Sequence, residues 1–161
     1  MTEKRLRTAL FVFRCTGSAL CALALAAAVG LPHSVWAAMS ALIVSQDRLD
    51  QTKASIAARL AGTAIGIGAA CGTNLTLAPL GASVYPQMAL AVTLCALLTH
   101  RFPQFRVSMW TCALLLVASA EQPGILAAGL GRGEEVMLGT LTGGAFHAAA
   151  EALLRVFKKA A

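Results

Sequence analysis

Six apolar runs separated by short polar segments dominate this sequence and decide in which solvent it can fold. They cover residues 9–31, 35–45, 54–78, 84–99, 107–120 and 125–157. None shows strict apolar–polar alternation. Ala, Leu and Gly recur in them at helical spacing, which predicts helices rather than strands. Charged residues are 12% and apolar ones 58% of the 161, whereas a soluble domain is about 25% charged. Such a chain cannot cover itself with water-facing groups, so a soluble globular fold is excluded. Disorder and a collagen-like repeat are excluded by the same composition. At about 20 residues per span, the expectation is an all-α integral membrane protein with six transmembrane helices in a single domain, residues 1–161. The runs at 35–45 and 107–120 are short for spanning, and are expected to lie half-buried or to extend into their polar flanks.

The basic residues alternate from side to side. Lys4, Arg5 and Arg7 precede the first run, Arg48 and Lys53 lie between the second and third, and Arg101 and Arg106 lie between the fourth and fifth. Arg155, Lys158 and Lys159 close the chain, while segments 32–34, 79–83 and 121–124 hold no Lys or Arg. Cytoplasmic loops retain Lys and Arg, so both termini are expected in the cytoplasm. The net charge of +6 then reads as a topology signal, and no nucleic acid partner is expected. A basic start, an apolar stretch and Val35-Trp-Ala-Ala38 also resemble a cleavable leader. Arg14 interrupts that stretch and its length exceeds a leader's, so it is read as a helix that stays. Cys15, Cys21, Cys71, Cys95 and Cys112 all lie in apolar runs with no CxxC. They read as small buried residues without a metal or other cofactor.

Two stretches echo each other. Trp36-Ala-Ala-Met begins a short run, followed by a polar turn, Arg59 and Gly62-Thr63-Ala-Ile-Gly66. Trp110-Thr-Cys-Ala begins another, followed by a turn, Arg132 and Gly139-Thr140-Leu-Thr-Gly143. The Trp residues are 74 apart and the GTxxG segments 77 apart, but Arg59 precedes its glycine by three residues and Arg132 by seven. The two Arg therefore need not be equivalent. Halves of three helices each, about residues 7–80 and 81–157, would be forced into opposite orientations. That is an inverted repeat, with a substrate site expected where the halves meet. Gly62, Gly66, Gly139 and Gly143 are read as helix-packing positions.

Charged groups inside lipid cost at least a few kcal/mol each, which marks them as functional candidates. Arg14, Arg59 and Arg132 lie about 9–12 Å past their polar flanks at helical rise. They are the expected substrate-binding residues, and Trp36 and Trp110 are a candidate aromatic wall or interfacial belt. Gly129-Leu-Gly-Arg-Gly133 weakens a helix. The segment is expected either to break, exposing N–H groups beside Arg132 to an anion, or to be an outer loop with the last helix beginning near Val136. Glu134 and Glu135 are possible charge or proton partners of Arg132 or Arg14, or lie in a solvated loop. His147 and Glu151 are i, i+4 and able to pair, with His147 a possible proton relay or simply a packed histidine. His33 and His100 fit helix ends, and Tyr85 fits an interfacial aromatic belt. No HExxH, GxSxG or Walker loop occurs, so no enzyme is expected.

Trp36-Ala-Ala-Met-Ser-Ala-Leu-Ile-Val-Ser-Gln46, then Thr52, Arg59-Leu-Ala-Gly-Thr63 and Gly66, resembles the fusaric-acid-resistance-like membrane module. That superfamily includes bacterial aromatic acid exporters and plant aluminium-activated malate transporters. The likeness extends from about Arg7 to Phe157, and Arg132 with Gly139 follows it loosely. It implies a multi-pass bacterial inner-membrane transporter of small organic anions, exporting aromatic or other carboxylates, with intramembrane arginines binding the carboxylate. Alternatives are a passive organic-anion channel and a non-transporting subunit that needs a partner. Many relatives add a large cytoplasmic domain or carry the module twice. This sequence holds one copy, so a homo-oligomer, a dimer first, is the expected assembly within the lipid bilayer.

Overall fold

A computed structural model describes residues 3–45, 49–119 and 124–160, without the side chains of 3–6, 49–50 and 157–160. Among the described residues there are six α-helices and no strand: α1 (Glu3–Ala28), α2 (Val35–Val44), α3 (Leu49–Leu77), α4 (Val84–Arg101), α5 (Val107–Ala118) and α6 (Ile125–Ala160). The order is long, short, long, then repeated. Residues 46–48 and the expected turn at 121–123 lie outside the described residues. Two helical stretches, Arg7–Ala28 and Gln51–Leu80, are long and apolar enough to cross a membrane by length and composition, and Val35–Val44 is a shorter apolar helix.

The ends of the helices follow local chemistry. α1 stops where Gly30 takes φ +76° and the Leu31 N–H donates to the Ala26 carbonyl at 2.9 Å, closing the orphan carbonyls of the last turn. Pro79 lies in a single 3-10 turn after α3, and Pro103 opens another before α5. Pro86 sits in the first turn of α4, where its missing N–H would have had no helical partner. α3 begins at Leu49, so the polar residues 49–53 belong to the helix rather than to the loop the sequence suggested.

The helices group into two compact units. One takes the chain up to Ala57 together with everything from Glu135 on; the other is Ala58–Glu134. In the first unit α1 packs on α2, around Ala22, Ala26, Ala37 and Ala41 with Leu31 and Leu138 against them. The C-terminal part of α6 lies along α2 in parallel. Gly139 meets Ala37, and a Cβ on Gly143 would stand 2.6 Å from the Ala41 carbonyl oxygen. Backbones approach this closely only where no side chain intervenes.

In the second unit α4 packs on α5, and the core is Ala70, Ala91, Cys95, Cys112, Leu115, Leu116 and Ile125. Here α3 lies along α5, again in parallel. Gly62 meets Val107, and a Cβ on Gly66 would stand 2.7 Å from the Ser108 oxygen and from Thr111 Cβ. All four glycines that the sequence marks for packing are contact points.

Outward faces are apolar on several helices, as at Leu20, Leu97, Leu126, Leu130 and Leu141. Hydroxyls on these helices turn back onto their own backbone. Thr93, itself exposed, donates to the Ala89 carbonyl at 2.7 Å, and Thr142 donates to Leu138 at 2.8 Å. This satisfies the hydroxyl without water.

Candidate functional site

The three intrahelical arginines are buried. Arg14 is 5% exposed, Arg59 4% and Arg132 8%. Counted from the starts of α1, α3 and α6, they lie about 16, 15 and 10 Å along their helices. Arg14 belongs to the first unit, and Arg59 and Arg132 to the second. The exposed basic residues Arg7, Lys53, Arg101, Arg106 and Arg155 contrast with them.

Arg14 makes the best-defined polar cluster. Its Nη1 donates to His147 Nδ1 at 3.2 Å, and the Thr52 hydroxyl lies 2.6 Å from the same nitrogen. Three helices, α1, α3 and α6, meet in this way on one imidazole that is fully buried. Arginine has donors only, so Nδ1 must be the acceptor and the neutral ring carries its hydrogen on Nε2. Arg14 Nε and Nη2 and His147 Nε2 are buried with no hydrogen-bond partner among the described residues. The Phe11 ring lies 5.1 Å from the guanidinium carbon, close enough for a cation–π contact.

Two clefts border Arg14 between α1 and α6. One, of about 310 Å³, is lined by Arg7, Thr8, Phe11, Arg14 and Glu151 among others. The other, of about 440 Å³, is lined by Leu10, Phe13, Phe146, Ala149 and Leu153 with Arg14. Arg14 therefore stands between a charged cleft and an apolar one. The arrangement presents buried N–H donors beside an opening and is suited chemically to an oxyanion.

Several expectations are corrected. α6 runs unbroken through Gly129–Gly133, so there is neither a helix break nor a loop up to Val136. The physical reason lies in packing: a Cβ on Gly129 would stand 3.0 Å from Ile67 Cγ2, so the glycine admits α3 rather than weakening α6. Backbone N–H groups there are used within the helix. Glu135 is not in a solvated loop; it is buried and accepts the His33 backbone N–H at 2.9 Å. Glu134 is exposed. His147 bonds to Arg14 and Thr52 instead of pairing with Glu151, which lines the charged cleft.

Trp110 is half-exposed with its ring centroid 5.9 Å from the Arg59 guanidinium carbon. Trp36 is partly buried on α2.

Sequence reasoning gave no role to a second polar link. In the second unit Asn74 Nδ2 donates to Gln87 Oε1 at 2.9 Å, and Gln87 Nε2 donates to the Ala82 carbonyl at 2.9 Å. A buried Gln inside an apolar run was the available signal. Thr52 was masked by its polar neighbours, which read as a loop.

A family model described as fusaric acid resistance protein-like matches residues 20–146, most of the chain. No curated protein matches, and no solved structure does.

Proposed function

The chain belongs to the fusaric acid resistance protein-like family, whose members are membrane proteins associated with transport, and from that premise we propose that it moves small organic anions across the bacterial inner membrane. Aromatic or other carboxylates are the substrates, export is the direction, and Arg14, Arg59 and Arg132 bind the carboxylate. The observation that carries this reading is the burial of three guanidinium groups deep in helices built of Ala, Leu and Gly. Fixed cations inside an apolar slab are costly unless an anion or an acceptor serves them.

We also propose an inverted repeat of three helices with both termini cytoplasmic. Its support is a common register. Arg59 and Arg132 are 73 residues apart, Asn74 and His147 are 73 apart, and Gln87 follows Arg14 by 73. Arg14 bonds to His147 and Gln87 to Asn74. In each case the first helix of one half is tied to the third helix of the other. In this register Arg59 and Arg132 are counterparts, and the two GTxxG strings are one helical turn out of step. A homodimer is the assembly proposed.

The test is reconstitution. Saturable carboxylate flux into proteoliposomes, abolished by Arg132→Ala, is expected of a carrier. Current that follows voltage without saturating indicates a channel. Absence of both from the wild-type protein overturns transport by this chain alone.

A further inference from the structure

We propose that His147 links the Arg14 anion site to a proton, so that an anion held by the guanidinium is accompanied by one proton on His147 Nδ1. The inference rests on the reading that Arg14 binds an anion. It adds which group changes charge when that happens.

Every polar N–H of the cluster seeks an acceptor, and the unprotonated Nδ1 serves both Arg14 Nη1 and the Thr52 hydroxyl. Nδ1 is thus the internal acceptor that holds the guanidinium when the cleft has no anion. A proton arriving from solvent at Nδ1 ends that role, because two N–H groups would then face each other. Thr52 can turn its hydroxyl and accept from Nδ1–H over the same distance, since a hydroxyl both donates and accepts. Arg14 cannot, and its Nη1 joins Nε and Nη2 in lacking an acceptor. An oxyanion in the bordering cleft supplies that acceptor, and its negative charge offsets the new imidazolium. Proton and anion therefore favour each other, and by linkage the effect is reciprocal.

Among the described side chains the charged surroundings are few. Arg14 and Arg7 come from α1, Glu151 lies one turn along α6, and α3 carries Lys53 next to Thr52 in sequence, exposed. α2 holds no titratable residue. The link in the second unit, Asn74 with Gln87, is neutral, so the titratable version occurs once among the described residues and the expected stoichiometry is one proton.

The experiment uses the purified full chain in detergent with sodium benzoate and sodium hexanoate as probes, both ionised from about pH 5.5 to about pH 8, across the range where an imidazole titrates. Calorimetry in two buffers of different ionisation enthalpy reads the protons taken up. Above the midpoint, affinity is expected to fall about tenfold per pH unit, with one proton bound per anion. His147→Gln, whose amide oxygen can still accept from Arg14 and Thr52, is expected to bind with a flat pH profile and no proton uptake. Binding by the wild-type chain without proton uptake overturns this inference and leaves the anion reading standing. Proton uptake that persists in His147→Gln also overturns it. Failure of both probes to bind at any pH overturns the anion reading and this inference together.

Discussion

Gly143 of α6 faces Ala41 of α2 so closely that a Cβ on the glycine would stand 2.6 Å from the alanine's carbonyl oxygen. The obstacle is backbone, which cannot swing aside. Gly66 meets the Ser108 carbonyl of α5 in the same way, at 2.7 Å. Gly143→Ala and Gly66→Ala should each destabilise by about 1–3 kcal/mol, the usual cost of overpacking. Gly72 in α3 has nothing within 4 Å of its would-be Cβ. Gly72→Ala should therefore be neutral or stabilising by up to about 1 kcal/mol through helix propensity. Unfolding midpoints in detergent check the ranking, and equal effects at Gly143 and Gly72 would refute close packing.

Glu135 closes the entry to α2 by accepting the His33 backbone N–H, one turn before the glycine contacts on the same face of α6. Glu135→Ala leaves that donor without its acceptor and should cost about 1–3 kcal/mol. Glu135→Gln keeps an oxygen for the same N–H and should recover part of the loss. A catalytic or proton-exchanging role would predict the reverse pattern, with stability unchanged and transport lost in both variants. Thermal unfolding and benzoate flux, measured side by side, separate the two.

The Gln87 side chain joins Asn74 to the Ala82 carbonyl. Replacing it by Leu keeps volume and apolarity but leaves the Asn74 amide and a carbonyl at the start of α4 without this partner. Gln87→Leu should lower stability by about 1–3 kcal/mol, despite making the helix more hydrophobic. If unfolding measurements show Gln87→Leu more stable than the parent, the amide link contributes nothing.

The helices were legible because their causes are local. Apolar runs, the proline positions and Gly30 mark where each one stands, and the cost of charge in lipid singles out Arg14, Arg59 and Arg132. What escaped depends on partners distant in sequence. Arg14 and His147 are 133 residues apart, and nothing near His147 announces the contact, whereas Glu151 at i+4 suggests a pairing that the fold does not make. Gly129 looked like a helix breaker because propensity is a property of the lone helix. Against Ile67 the same missing side chain is what permits contact. The burial of Glu135 was hidden for the same reason, since it depends on α2 and its entry. GTxxG suits any close helix pair, so the spacing of the two strings does not by itself set a register; the 73-residue spacing of Arg59 and Arg132 and of the two polar pairs is the register of the proposed repeat.

The Arg59–Trp110 contact tests whether a buried guanidinium is held for use or merely accommodated. The ring lies 5.9 Å from the guanidinium carbon, within the range where a cation is attracted to an aromatic face by about 0.5–2 kcal/mol. Trp offers the strongest face and Phe a weaker one, while Leu keeps bulk without any. Stability should therefore fall in the order Trp110, Trp110→Phe, Trp110→Leu. The double variant Arg59→Gln with Trp110→Leu should show a coupling of about 0.5–2 kcal/mol, which the single variants alone cannot reveal. Arg59→Lys should behave as a partial loss, because a strongly hydrated ammonium is costlier to hold buried against the ring than a guanidinium. If Trp110 also fixes Arg59 for a passing carboxylate, Trp110→Leu should reduce benzoate flux by more than its loss of stability explains, with Trp110→Phe in between. A flux that tracks only the amount of folded protein would make the contact structural and remove Arg59 from the proposed site.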